Sequence, residues 1–412
     1  MKTNSLNNNK QGNTLVQQND KFNKLQMGLS AGSHFVTDIY QSTYIGLIPF
    51  LTLRFGLSLF QVSLLGVTSV LANSLFSPVF GLLSDKHGLK YFIIAGPLIT
   101  SIFLSILGII PNYYLILILL FLGNLGIAAF HPASAAIAGH YGGKRKGIGN
   151  SLINFGGNFG NAVGSLLIIL ILEKAGIEFT PLIMIPGILM ALVLIKYAPS
   201  NTGSRGPSKS FTQYFRSFRK INRAKLYLLF NILFIIYSLY IIWITLVTYM
   251  PLYFTERNIS LINIGNILLV FGTLGGASGF LSGYLYDRFK KGYIIMQTSL
   301  ILSIPLFFFS FRTEGLLSIT LFILAGFFLI SVQPVCIRMI QDLFPGSMSL
   351  ASSMILGFAP GLAAITMIFL GKAADIIGIS ALIDFELLGP ALAVLLLFIY
   401  PIMEKKLHST EN

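Results

Sequence analysis

Three observations predict an all-α membrane protein of twelve transmembrane helices in two six-helix repeats, with both termini in the cytoplasm. The first is composition: 54% of the 412 residues are hydrophobic and 10% are charged, with a mean hydropathy of +0.78. A soluble domain carries about 25% charged residues, so too few remain here to cover a water-facing surface. That excludes an ordinary soluble enzyme. The second is a series of twelve apolar stretches, each near the ~20 residues that a bilayer crossing needs. The third is internal repetition at an offset of 202 residues: Gly81 and Asp85 fall on Gly283 and Asp287, His131-Pro132 on Gln333-Pro334, and Ser151 on Ser353. Parallel six-span repeats related by an axis along the membrane normal are a known construction of secondary transporters.

Residues 1–26, rich in Asn, Gln and Lys, contain no apolar core of a signal peptide and are expected to form a disordered cytoplasmic tail. The spans follow at Met27 to Phe50, Gln61 to Leu83, Tyr91 to Ile110, Tyr114 to Ala138, Gly147 to Leu172 and Pro181 to Ala198. The second set runs Leu226 to Met250, Ile262 to Tyr286, Gly292 to Phe311, Leu316 to Ile340, Met348 to Ala374 and Leu387 to Ile402. This divides the chain into an N-terminal bundle (27–198), a basic cytoplasmic linker (199–225), a C-terminal bundle (226–403) and a short tail (404–412). The net charge is +14, and a cytoplasmic N-terminus places 22 of the 28 basic residues inside. Only Arg54, Lys174, Arg257 and Arg312 fall outside, so the positive-inside rule fixes the predicted orientation. The charge is therefore read as topology and anionic lipid, with no nucleic-acid partner. A single cysteine, Cys336, excludes an intrachain disulfide and a cysteine metal cluster.

The loop after the second span reads GLLSDKHGLK, and its repeat partner reads GYLYDRFKKG. Gly81, Asp85, Lys86 and Gly88 in the first copy, and Gly283, Asp287 and Arg288 in the second, are candidate gating residues. A carboxylate at a helix end followed by basic side chains can bond a neighbouring helix terminus and hold one side closed. A solvated hairpin is the plainer alternative, but two copies at one offset favour the gate. Arg338 and Asp342, one turn apart near the end of the tenth span, are read as an interfacial anchor or gate pair.

These loops resemble the signature of the major facilitator superfamily, with Leu89 standing where the first of a final basic pair belongs. The segments SHFVTDIYQS, FHPASAAIAGHYGGKRKGIGNSLINFGGNFGNAVG and IQDLFPGSMSLASSMILGFAPG further resemble the fosmidomycin-resistance group of that superfamily. The resemblance implies twelve helices, spans 1, 4, 7 and 10 around a central path, and export of small molecules such as antibiotics in exchange for protons. Ala133 and Thr37 stand where that group often carries Glu and Asn.

Independently of the family, an Asp at a helix centre costs ~2.5 to 3.5 kcal/mol on insertion scales and needs a reason. Asp38 lies at the middle of the first span, His34 one turn away on the same face, and His131 at matching depth in the fourth. These three are the candidate proton-coupling residues, against structural hydrogen bonding as the alternative. Candidate substrate-binding residues are Tyr44, Asn124, Asn154, Asn158, Tyr237, Tyr240, Trp243 and Gln333, the last being the repeat partner of His131. Aromatic rows and asparagines also serve helix packing. Gly156, Gly160 and Gly164 share one face of the fifth span and predict close approach of a neighbouring helix.

No cofactor or metal site is expected. The glycines before Lys144 and Lys372 lack the rest of a phosphate loop, so the energy source is expected to be an ion gradient. No His-Glu-x-x-His or nucleophile elbow is present. The function predicted is secondary active transport of a small organic compound by alternating access, as a monomer in a prokaryotic plasma membrane. Proton-coupled drug or metabolite efflux is the leading form and a proton-coupled uptake symporter the alternative; a membrane-embedded enzyme or a channel is more remote. With no Lys or Arg near a midplane, a neutral or cationic substrate fits at least as well as an anion, which would depend on protonated His34 and His131.

Overall fold

The computed structural model describes residues 22–143, 146–199, 223–344 and 354–411. The tail through residue 21, linker residues 200–222, Ser353 and the side chain of Asp85 lie outside the described residues. Twelve α-helices form among the rest. The first half contains α1 Lys24–Phe55, α2 Leu59–His87, α3 Leu89–Ser105, α4 Tyr113–Tyr141, α5 Lys146–Lys174 and α6 Met184–Tyr197. The second contains α7 Arg223–Glu256, α8 Leu261–Phe289, α9 Gly292–Ser310, α10 Gly315–Leu343, α11 Ala359–Glu386 and α12 Leu388–Glu411.

Local chemistry sets several of these ends. The Asn23 side chain accepts from the Gln26 N–H to start α1, and Gly56, at φ 61°, closes it. Ser58 and Gln61 form a reciprocal capping box at the start of α2. Ten stretches among the described residues are long and apolar enough to cross a membrane, the last of them, Ile355–Leu407, containing both α11 and α12. Helix α1 is not among the ten. Its Ser30, Ser33, Thr37, Asp38, Ser42 and Thr43 lower its apolar content, and all six are buried against protein rather than lipid.

Three boundaries differ from the sequence reading. Helix α1 begins at Lys24, within the predicted tail, and α12 continues to Glu411 through the predicted C-terminal tail. Residues 375–386, expected as a loop, are helical on either side of a break at Gly378, which adopts φ +80°. Glycine reaches that left-handed region without the steric cost a side chain adds, so apolar residues beyond the break resume a helix.

Helix α1 packs most extensively on α5, and the halves meet where α2 lies on α11 and α5 lies on α8. At the 202-residue offset α2 corresponds to α8 and α11 to α5, so these are one contact used twice. On α5, a Cβ at Gly156, Gly160 or Gly164 would collide with the carbonyls of Ala31, Phe35 or Ile39 on α1. The predicted glycine face is therefore a backbone-to-backbone seam. Tyr40 ties α1 to α6, donating to the Ile183 carbonyl at 2.6 Å and accepting from the Gly187 N–H at 2.8 Å.

The bundle has a basic end, bearing Lys86, Lys90, Arg288, Lys290 and Lys291, and a far end, bearing Arg54, Lys174, Arg257 and Arg312. Hydrogen bonds joining the halves among the described residues lie at the far end. Tyr249 of α7 donates to the Leu59 carbonyl at 2.9 Å, and the Phe60 N–H in the first turn of α2 reaches both Asp375 carboxylate oxygens of α11 at 3.3 Å. Gly371 sits against Ser63, and its counterpart contact brings Gly265 against Leu166 and Ile169.

Candidate functional site

The buried polar centre of the first half is built from α1 and α4. Asp38 Oδ2 lies 3.3 Å from His34 Nε2 one turn earlier, and Oδ1 lies 3.2 Å from His131 Nε2 across the helix pair. The Asp38 and His34 side chains are 9% and 12% exposed, whereas His131 is 31% exposed and presents an open edge. The two imidazoles meet edge to face with centroids 5.0 Å apart, and His34 also contacts Phe130. Gly157 on α5 makes room for this ring, since a Cβ there would come within 2.5 Å of His34 Nε2. The three donor groups lie within 4.8 Å of one another, a spacing a metal ion would also accept. The sequence-predicted trio is thus one contiguous cluster.

The second half contains the same pair in neutral form. Tyr240 and Gln333 occupy the positions 202 residues after Asp38 and His131, and Gln333 Nε2 donates to the Tyr240 hydroxyl at 2.8 Å. Tyr237 shares a hydrogen bond with Thr366 of α11 at 2.9 Å. Trp243 stacks on Phe271 of α8, which places it in packing between helices. Asn124 is fully buried inside the first half, accepting from Ser69 at 2.9 Å and donating to the Leu120 carbonyl at 2.8 Å; Tyr44 is buried as well. These two are not brought to the open edge. Asn154 and Asn158 are exposed, and Asn158 lies beside Gly276 of α8, at the seam between halves.

Among the gating candidates, Gly81 lies against Pro132, where an added Cβ would meet the ring at 3.5 Å, while Gly283 has open space around it. Gly88 links α2 to α3 at φ 97°, and Lys290, its repeat partner, also has positive φ, at 54°. Lys86 and Arg288 are exposed, and Arg288 reaches the Tyr284 hydroxyl at 3.4 Å. Asp287 accepts from Arg338 of α10 at 3.1 Å and from Lys290 at 3.4 Å. This corrects the expected pairing of Arg338 with Asp342. Helix spacing puts Asp342 one turn from Arg338, but α8 and α10 lie side by side, so the guanidinium meets Asp287 and Asp342 accepts from Tyr286 at 2.5 Å.

Sequence reasoning missed Glu386. It falls between the predicted spans, yet it is 5% exposed and bonded to Thr245 of α7 at 2.7 Å. The apolar flanks in Phe385-Glu386-Leu387-Leu388 were the available signal, and the break at Gly378 hid the helical continuation.

Two repeated six-helix halves, meeting through equivalent helix pairs and enclosing a buried carboxylate, define a multi-pass membrane transport protein and not an enzyme. A family model described as the Major Facilitator Superfamily matches residues 31–355, and the chain belongs to that superfamily. It is 30% identical over 354 residues to the MFS-type transporter YfnC of Bacillus subtilis, covering 84% of this chain and 86% of that one. It is 26% identical to the fosmidomycin resistance protein of Escherichia coli, covering 90% and 92%, and 24% identical to the sialic acid transporter NanX of Escherichia coli, covering 70% and 72%. Among solved structures, it resembles a bacterial homologue of the human lysosomal transporter Spinster, inward-facing and unoccupied, with a TM-score of 0.68 at 16% identity and coverage of 93% and 97%. That likeness concerns the fold.

Proposed function

We propose that the protein exports a small organic compound in exchange for protons, with the basic end and both termini in the cytoplasm. The observation that carries this reading is Asp38 held between His34 and His131 on α1 and α4. A carboxylate inside a membrane bundle is costly unless it is paired or titrates, and two imidazoles offer both a countercharge and a proton relay. Substrate reaching the exposed edge of His131 competes with the proton for the same carboxylate, so the two are carried in alternation. The Asp287–Arg338 pair of the second half acts in basic-end gating, and the first-half loop Gly81, Asp85, Lys86 and Gly88 serves the equivalent role. Tyr240 and Gln333 face the substrate as neutral donors and acceptors. The path lies within one chain, which supports a monomeric unit.

The experiment is transport into inside-out vesicles under an imposed proton gradient, with a labelled panel of neutral, cationic and anionic compounds that includes fosmidomycin and sialic acid. Gradient-driven accumulation of a panel member by the wild type, lost in Asp38→Asn while downhill exchange persists, is the expected result. Accumulation by Asp38→Asn with ordinary pH dependence places the proton elsewhere and ends this reading. Labelling of cysteines at Ser208 and Thr255 from opposite faces of intact cells checks the orientation; labelling of both from one face contradicts it.

A further inference from the structure

Glu386 belongs to neither the Asp38 cluster nor the gating loops. It ends the helical segment beyond the break at Gly378, and Arg312 of the α9–α10 turn fixes that segment by two bonds to Asp384, at 3.0 and 2.6 Å. Glu386 Oε1 accepts from Thr245 Oγ1, and Oε2 is buried with no hydrogen-bond partner. No basic side chain pairs with it among the described residues. The titratable groups on the surrounding elements do not bond to it: Tyr249 of α7 meets the Leu59 carbonyl, Arg257 stacks over the Tyr253 ring, Asp375 of α11 meets the Phe60 N–H, Asp384 meets Arg312, and Lys372 of α11 lies over the Phe60 ring.

A buried carboxylate with one donor and no countercharge is strongly disfavoured, whereas a neutral carboxyl in the same place is far cheaper. Thr245 and Tyr249 are four residues apart, on one face of α7. Tyr249 closes the far end onto α2, and Thr245, one turn deeper, holds Glu386 behind that closure. Separating Tyr249 from Leu59 and Asp375 from Phe60 would let water reach this face, and hydration makes the ionised form affordable.

We propose that Glu386 is a second proton-binding group of the transport cycle, occupied when the far end is closed and emptied when that end opens. The balance is simple: closing transfers one proton from water to the Glu386 carboxylate, and opening returns it. Closure is then favoured by acid. Across the range in which Glu386 titrates, the closed-to-open ratio falls by up to about tenfold per pH unit as pH rises. The proposal rests on the transport reading, and on the far end facing outward it makes external acidity a closing signal.

The test uses the full-length chain in lipid nanodiscs, with spin labels on cysteines replacing Leu53 and Ile376, which are 83% and 84% exposed on opposite halves at the far end. Distance distributions are recorded as pH is raised. The expected result is a shrinking short-distance population in the parent, a pH-independent short-distance population in Glu386→Gln, and a retained but displaced transition in Glu386→Asp. Glu386→Gln keeping the parent's pH dependence overturns the proposal, as does a Glu386→Asp transition at the parent's midpoint. Asp38→Asn separates the two readings: loss of the far-end pH response in that variant and not in Glu386→Gln overturns the present proposal. An intact response in Asp38→Asn with accumulation also intact overturns the Asp38 assignment alone.

Discussion

The two halves place a hydrogen-bonded pair at the same positions of their first and fourth helices, Asp38 with His131 and Tyr240 with Gln333, yet only the first pair carries a carboxylate. The helix around each pair differs in the same sense. In the first half α1 is locked to α5 through Gly156, Gly160 and Gly164, whereas the equivalent positions are Phe358, just before α11, and Leu362 and Thr366 on it, of which Phe358 and Leu362 are 61% and 43% exposed. The second half ties α7 to α11 with side-chain bonds, Tyr237 to Thr366 and Thr245 to Glu386. Within this repeated pair, the carboxylate lies on the helix that meets the glycine seam. A buried ionisable group needs fixed partners, and a glycine seam fixes them without rotamer freedom.

The largest expected effect separates the two pairs. Asp38→Asn is expected to reduce gradient-driven accumulation at least about 100-fold, equivalent to roughly 2.7 kcal/mol of lost coupling, while Gln333→Ala leaves the pH profile of transport unchanged. The latter removes one neutral hydrogen bond, worth ~0.5 to 1.5 kcal/mol, so the half-saturating substrate concentration should rise about 2- to 10-fold if Gln333 faces substrate. Vesicle transport across a pH series measures both. A Gln333→Ala variant that loses its pH dependence would show that the charged and neutral pairs act as one unit.

The next effect is on the seam. Gly160→Ala forces a methyl onto the Phe35 carbonyl and is expected to destabilise the fold by ~1 to 3 kcal/mol. Leu362→Ala at the equivalent, exposed position should cost less than about 0.5 kcal/mol. Thermal unfolding of the detergent-solubilised variants ranks them, and equal shifts would remove the distinction between the halves. Gly157→Ala, which crowds the His34 ring, should instead displace the pH optimum of transport with a smaller change in stability.

The smallest expected effect is at the basic end. Arg338 and Asp287 are 45% and 59% exposed, and ion pairs that wet contribute roughly 0.2 to 1 kcal/mol. Arg338→Ala should leave unfolding nearly unchanged while raising, by about 1.5- to 5-fold, the labelling rate of a cysteine at Asn158. An unchanged rate would assign the pair to the surface of the second half alone.

The amino-acid sequence by itself determined the membrane class, the helices, the duplication and the trio of Asp38, His34 and His131. Hydrophobic length, a fixed repeat offset and the cost of a charge in an apolar span are all local or additive quantities, legible one residue at a time. The glycine face of α5 was legible for the same reason, because its period of four names one side of a helix. Only the tertiary structure decided which groups meet. Arg338 passes over Asp342 for Asp287 because α8 and α10 are neighbours, and Asn124 turns inward to Ser69 because α2 lies against α4. Helix α1 carries Ser30, Ser33, Thr37, Asp38, Ser42 and Thr43 inside a predicted span, and it is central because its neighbours bury all six. Glu386 left only its apolar flanks in the sequence: its burial depends on a break at Gly378 and a hydroxyl 141 residues away, and side-chain contacts at that separation leave no periodic trace in the chain.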